Sequence, residues 1–288
     1  MPREEKPATP PVPLVPESLY AMGSAFQADG RVSWLPKHTT GWQATNAYAI
    51  VTPDRTTLID PGPRYQGELV ASQLLDLVPS DTSINICLTR AERDVIGAID
   101  SVGRSFPIER LVAGGIPNLF DGFESLASVK SGGHSGFVQM SRMPNGSAIP
   151  IGDDRELIVL APMLRVLSTF WFYDAETGSL FTSDSFDHLL ADTFEEARLP
   201  CSEPSKIWSD PTAVDDHLLA KFWWLEGAAL APVRSDLEKL FGERTVNRIC
   251  PTHGRVIEGA EHVAAAYEAI QSALSRLDEG SLTRGAHQ

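Results

Sequence analysis

The chain reads as an α/β protein, and three observations lead there. Short apolar runs alternate with helical patterns through the first half, β-rich runs open the second half, and helical patterns close it. Two halves that each combine sheet and helix suit a four-layer αβ/βα sandwich. Residues 46–51 (NAYAIV) and 56–60 (TTLID) are two strands around a Pro-Asp-Arg turn, and PGPRYQ breaks the pattern before a helix near 67–78. The run SINICLT is the next strand, DVIGAIDSVGRSF a helix, RLVAGG a strand and 117–129 a second helical stretch. Beyond them, 155–164, STFWFYD and SLFTSD read as consecutive strands of a mostly antiparallel sheet, the last two joined by Ala-Glu-Thr-Gly. Helices near 212–229 and 232–241, the strand NRICPTH and a helix near 258–277 complete the order.

The 288 residues, 42% of them hydrophobic, are enough for one large core. Residues 1–17 read as a disordered proline-rich arm, 18–278 as one domain and 279–288 as a flexible tail. A net charge of −14 repels phosphate backbones and acidic headgroups, which argues against nucleic acid or a membrane as partner. The charged N-terminus lacks the apolar run of a secretory signal, and no stretch of eighteen apolar residues follows, so a cytoplasmic protein is expected. Cys87, Cys201 and Cys250 have no CxxC spacing; Cys87 and Cys250 sit in apolar runs and read as core. Nucleophile-elbow, P-loop and dinucleotide fingerprints are absent.

The stretch TRAERDVIGAI, residues 89–99, follows a strand and opens a helix. Glu92 and Asp94 have the character of metal ligands there, yet Arg90 and Arg93 are interleaved with them. Taken alone, the two acids also suit the first turn of a helix, where the dipole favours negative charge. Three further segments join this one in order: Asn46–Ile50 leading to Leu58-Ile-Asp-Pro-Gly62; Ala161-Pro-Met-Leu-Arg165 running to Leu180-Phe-Thr-Ser-Asp-Ser-Phe186; and Cys250-Pro-Thr-His-Gly254. Together they resemble the metallo-β-lactamase fold, and within it the branch of flavodiiron and oxygen-binding diiron proteins, over roughly residues 19–275. Glu92 selects that branch, since a carboxylate suits hard iron better than a second imidazole does.

The resemblance implies that Glu92, Asp94, Asp184 and His253 occupy ligand positions, with Asp184 as the bridging carboxylate. It also implies that three histidine positions are lost, to Arg90, Val95 and Arg165. A guanidinium stays protonated and has no lone pair for a metal. The expectation is therefore an ionic plug, in which Arg90 and Arg165 pair with Asp94, Asp184 and Glu92 or hold an anionic ligand. The first functional reading is a non-redox binding, sensory or partner protein without cofactor, taking a small-molecule or anionic ligand. The second is a metalloenzyme with one iron or zinc ion on Asp94, Asp184 and His253, and Glu92 as ligand or general base. Iron would suit oxygen or nitric oxide reduction, and zinc ester or lactone hydrolysis. A third reading is metal-free acid/base catalysis by Glu92, Asp94 and Asp184. FMN has no support, because the flavodoxin module is missing.

His134 and His188 are candidate substitute ligands, more often loop residues, and His38 is near enough to the hairpin to line the pocket. The aromatics 170–173 and 222–224 read as core or as an interface for a second copy or protein partner.

Overall fold

The structure, a computed structural model, describes residues 9–113, 139–166, 168–203 and 206–285. The first sheet has seven strands in chain order: β1 (Val12–Val15), β2 (Leu19–Gln27), β3 (Trp42–Val51), β4 (Thr56–Ile59), β5 (Ile84–Leu88), β6 (Ile108–Ala113) and β7 (Gln139–Arg142). Its first four strands run antiparallel, and the pairs from β4 to β7 are parallel. Helices α1 (Gly67–Leu75), α2 (Arg93–Ile96) and α3 (Ile99–Ser105) connect its parallel strands. The second sheet is ordered β13 (Ile257–Glu258), β12 (Arg248–Pro251), β11 (Ser179–Ser183), β10 (Trp171–Asp174), β9 (Glu156–Leu160) and β8 (Ala148–Pro150). It is antiparallel except for β11 beside β12. Helices α4 (Phe194–Ala197), α5 (Pro211–Lys221), α6 (Ala231–Gly242) and α7 (Ala260–Gly285) belong to this half.

The period-two alternation of the strands makes the layers, because successive side chains leave opposite faces of a sheet. Ala47 and Ala49 of β3, Leu58 of β4 and Ile86 and Leu88 of β5 pack with Val70, Leu74 and Val102 of the first helices. Tyr48, Ile50, Ile59 and Cys87, from the other face, meet Phe172, Phe181 and Cys250 of the second sheet. On that sheet's outer face Trp171, Tyr173, Leu180 and Ile249 pack with Leu218, Leu237 and Ile270 of α5, α6 and α7. The result is the expected αβ/βα sandwich. Cys87 and Cys250 are buried free thiols in its middle. No described helix is long and apolar enough to cross a membrane.

Several boundaries are corrected. Residues 12–15, assigned to a disordered arm, form β1, and α7 continues past 278 to Gly285. The reason for β1 is its pairing with β2, reinforced by Arg248, whose Nη2 donates to Leu14 O at 3.0 Å. The single helix expected over 94–106 divides into α2 and α3. Its break is held by the preceding loop: Gly62 N donates to Val95 O and Ala98 N to Gly62 O, at 2.7 and 2.8 Å. The helix expected near 117–129 and His134 lie outside the described residues.

Candidate functional site

Two parallel pairs, β4 with β5 and β11 with β12, bring four strand carboxyl ends to one rim. Asp60 follows β4, Thr89 and Arg90 follow β5, Asp184 follows β11, and His253 follows β12. Strand ends leave side chains outside the ladder, and the carboxyl edge of such sheets is a common place for ligand sites. Asp60 and Ser183 hold positive φ, 48° and 55°, in these turns. A non-glycine residue stays there only when its surroundings fix it. For Asp60 they do: it accepts from Thr89 N (2.8 Å), Thr89 Oγ1 (2.6 Å) and Thr252 Oγ1 (2.8 Å), which staples three strand ends together.

Arg90 is buried at the centre. Its Nη1 lies 2.9 Å from Asp184 Oδ1 and donates to Ser183 Oγ at 2.7 Å. Its Nη2 hydrogen-bonds Asp94 Oδ2 and lies 3.5 Å from His253 Nε2. Nε is 3.4 Å from Glu92 Oε2, without a well-aligned hydrogen bond. The guanidinium therefore touches all four ligand-type residues. Asp94, Asp184 and His253 offer donor atoms within 4.8 Å of one another, a spacing one cation could span, and Arg90 lies against each of them.

A second cation, Lys221 at the end of α5, pairs with Asp187, and its Nζ lies 3.6 Å from Asp184 Oδ1. Lys221 was not among the sequence candidates. The helical pattern shows it on α5 but gives no sign that α5 ends over the site. His253 is fixed by its own loop: Asn46 Nδ2 donates to Pro251 O and Gly254 O at 2.9 and 2.8 Å, and Tyr48 to Pro251 O at 2.6 Å. Its Nε2 meets Asp94 Oδ2 at 2.8 Å, and Trp34 stacks on its ring at 4.7 Å.

The charges set the protonation states. Burial pushes the Asp94 carboxyl up, but the His253 hydrogen bond and the Arg90 charge outweigh it and leave it well below the usual range. Burial likewise opposes ionisation of Asp184, and Arg90, Lys221 and His253 together hold its carboxyl down. Glu92 moves the other way: burial raises it, against the pull of Arg90 and with the push of Asp184 and Asp94. Burial works against the Arg90 charge, and Asp184 and Asp94 more than restore it, so the guanidinium stays protonated.

Two cavities meet here. One, about 320 Å³, is lined by Arg90, Glu92, Asp94, Asp184, Lys221 and Trp34 among others. The other, about 210 Å³, shares Trp34 and Asp94 and adds His253, Phe26 and Tyr65.

Of the sequence candidates, Arg90, Glu92, Asp94, Asp184 and His253 come together, and Arg165 does not. Arg165 is exposed, and among the described residues it has no ion-pair partner. Its segment is anchored by Leu164, buried against the outer core, and by Met163 N donating to Asp236 Oδ2 at 2.7 Å, which leaves Arg165 facing out. The second cation expected from Arg165 comes from Lys221 instead. His188 is buried away from the metal-type cluster and accepts from Trp208 Nε1 at 3.1 Å. His38 is a surface residue, 3.7 Å from Asp216. Trp34, four residues earlier, is the one that lines the pocket.

A model of the ODP family beta lactamases matches residues 43–209, more than half of the chain. The chain belongs to this family. Solved structures agree on its fold. Rubredoxin oxygen:oxidoreductase from Desulfovibrio gigas is 16% identical with a TM-score of 0.67, over 92% of this chain and 61% of that one. The Flv1 flavodiiron core from Synechocystis sp. PCC6803 is 16% identical with a TM-score of 0.66, over 93% and 62%. A fragment from Nostoc sp. PCC 7120 is 15% identical with a TM-score of 0.65, over 97% of this chain and 100% of the fragment. The ODP family chain thus has the metallo-β-lactamase-type core of flavodiiron proteins and spans about three fifths of the length of the first two relatives. No curated protein sequence matches it.

Proposed function

We propose that this ODP family member is a non-redox, ligand-binding protein whose former metal centre is filled by side-chain cations. The observation that carries this reading is Arg90, buried and paired with Asp94 and Asp184 while lying 3.5 Å from His253. Iron is part of the name of the flavodiiron relative, and the fit of such a metal to this chain is poor. A cation on Asp94, Asp184 and His253 would have to displace a guanidinium whose side chain is 4% exposed. Three of the histidines that the family resemblance calls for are Arg90, Val95 and Arg165. Lys221, paired with Asp187, stands as a second fixed cation beside Asp184, so two side-chain cations already sit among the acids where a metal would go. The reading assigns neither iron nor FMN to the chain.

Elemental analysis of untagged protein, before and after incubation with iron(II) or zinc and beside an Asp184→Ala variant, tests this. Well under one metal per chain in both proteins supports the reading. One metal per chain, lost in the variant, overturns it in favour of a mononuclear metalloenzyme on Asp94, Asp184 and His253. That second reading rests on the 4.8 Å grouping of those donors and on the half-exposed Glu92, whose raised carboxyl suits proton transfer.

A further inference from the structure

The smaller cavity is an apolar hollow beside the Arg90 cluster. Trp34, Phe26, Tyr65, Val32 and Pro63 wall it, and almost no polar surface opens onto it. Its volume is about 210 Å³, and an apolar cavity of about 150 Å³ already accepts benzene, so one ring fits. The wall rings are held in place. Trp34 Nε1 donates to Gln43 Oε1 at 2.9 Å, and the indole stacks on His253 at 4.7 Å and meets Phe26 edge to face at 6.3 Å. Tyr65 Oη lies 3.3 Å from Thr45 Oγ1. The hollow therefore has its shape before any ligand arrives, and little ordering is left for binding to oppose.

The same contacts decide what can enter. The lining residues that carry polar groups have them engaged or covered: the Trp34 N–H is on Gln43, the Tyr65 and Thr45 hydroxyls are on each other, and Asp94 is paired with Arg90 and His253. His253 turns Nε2 to Asp94, and its Nδ1 is buried. A charged group entering here would leave water and find no open partner, a cost that an uncharged ring does not meet. An aromatic ring also gains offset or edge-to-face contact with the wall rings, which an aliphatic group of the same size lacks.

We propose that this cavity binds a small uncharged aromatic molecule of one ring, seated against Trp34, Phe26 and Tyr65 without an ion pair. The proposal deepens the ligand-binding reading and rests on its metal-free site, since a metal on Asp94 and His253 would set a charge in the cavity wall.

The test is calorimetric titration of the full chain with benzyl alcohol, benzylamine and benzoate, one ring carrying a neutral, a positive and a negative arm, with metal content measured on the same sample. Benzyl alcohol should bind at least about tenfold tighter than either ion. Val32→Trp, which fills the cavity from its apolar wall, should abolish that binding while circular dichroism stays native. Should Val32→Trp not fold, intermolecular nuclear Overhauser contacts between benzyl alcohol and the Trp34 indole in the unmodified protein serve in its place. Equal affinity for the three compounds, a preference for either ion, undiminished binding to a folded Val32→Trp variant, or contacts to other tryptophans alone would overturn the proposal. Metal-free protein that ignores benzyl alcohol would overturn it while leaving the metal-free reading intact. Stoichiometric metal would remove both.

Discussion

Arg90 is the residue on which the site turns, because it is buried and holds Asp94 and Asp184 at once. Removing one partner of a buried ion pair leaves charge uncompensated, at a cost of about 3–5 kcal/mol. Arg90→Ala should therefore lower stability by about that much in urea denaturation, and a loss below about 1 kcal/mol would show that the acids do not depend on it. His188 supports a separate prediction. Burial, then the charges of His217 and Lys221, push its imidazole down to about 3 from an ordinary 6.5. Below pH 6.5 the unfolded chain takes up a proton that the folded chain refuses, so stability falls as pH drops from 6.5 toward 3. His188→Gln, which can still accept from Trp208, should flatten the urea midpoint over that window; an unchanged slope would assign the loss to other groups.

The elements around the site are held by short-range devices whose loss can be measured. Asp210 caps α5 by accepting from Thr212 N and Ala213 N at 3.1 and 3.2 Å, and α5 carries Lys221 to Asp184. Asp210→Ala should cost about 1 kcal/mol, read as a lower melting temperature. In the loop after β12, Gly254 has φ +84°, and a Cβ there would stand 2.5 Å from Asp187 O. Gly254→Ala should cost on the order of 1–3 kcal/mol and displace His253 from Asp94, visible as a shift of the His253 ring resonances. Native shifts in that variant would show that the loop has room to adjust. The α2 and α3 boundary illustrates why element limits were only partly legible. The sequence pattern is continuous across Gly97 and Ala98, and the break depends on backbone bonds to Gly62, which lies 35 positions away.

At the scale of the molecule, two buried arginines tie the sheets together. Arg155 bonds Asp174 Oδ1 and Oδ2 at 3.1 and 2.5 Å and reaches Ser18 Oγ at 2.6 Å. Arg248 bonds both oxygens of Glu258 and donates to Leu14 O of β1. Arg248→Ala should loosen β1 before the rest of the fold, so limited proteolysis should cut near residues 12–15 while the remainder resists. Uniform sensitivity along the chain would mean that β1 is no more dependent on Arg248 than its neighbours are.

The amino-acid order alone determined the layer architecture, since alternation within strands and the succession of strand and helix are local properties. It also determined that Arg90, Glu92, Asp94, Asp184 and His253 share a site, because four motifs in order carried the resemblance. Only the tertiary structure decided which cations reach the acids. Arg165 is turned outward by the anchoring of Leu164, and Lys221 arrives from a helix with no motif, because side-chain direction depends on packing between distant segments.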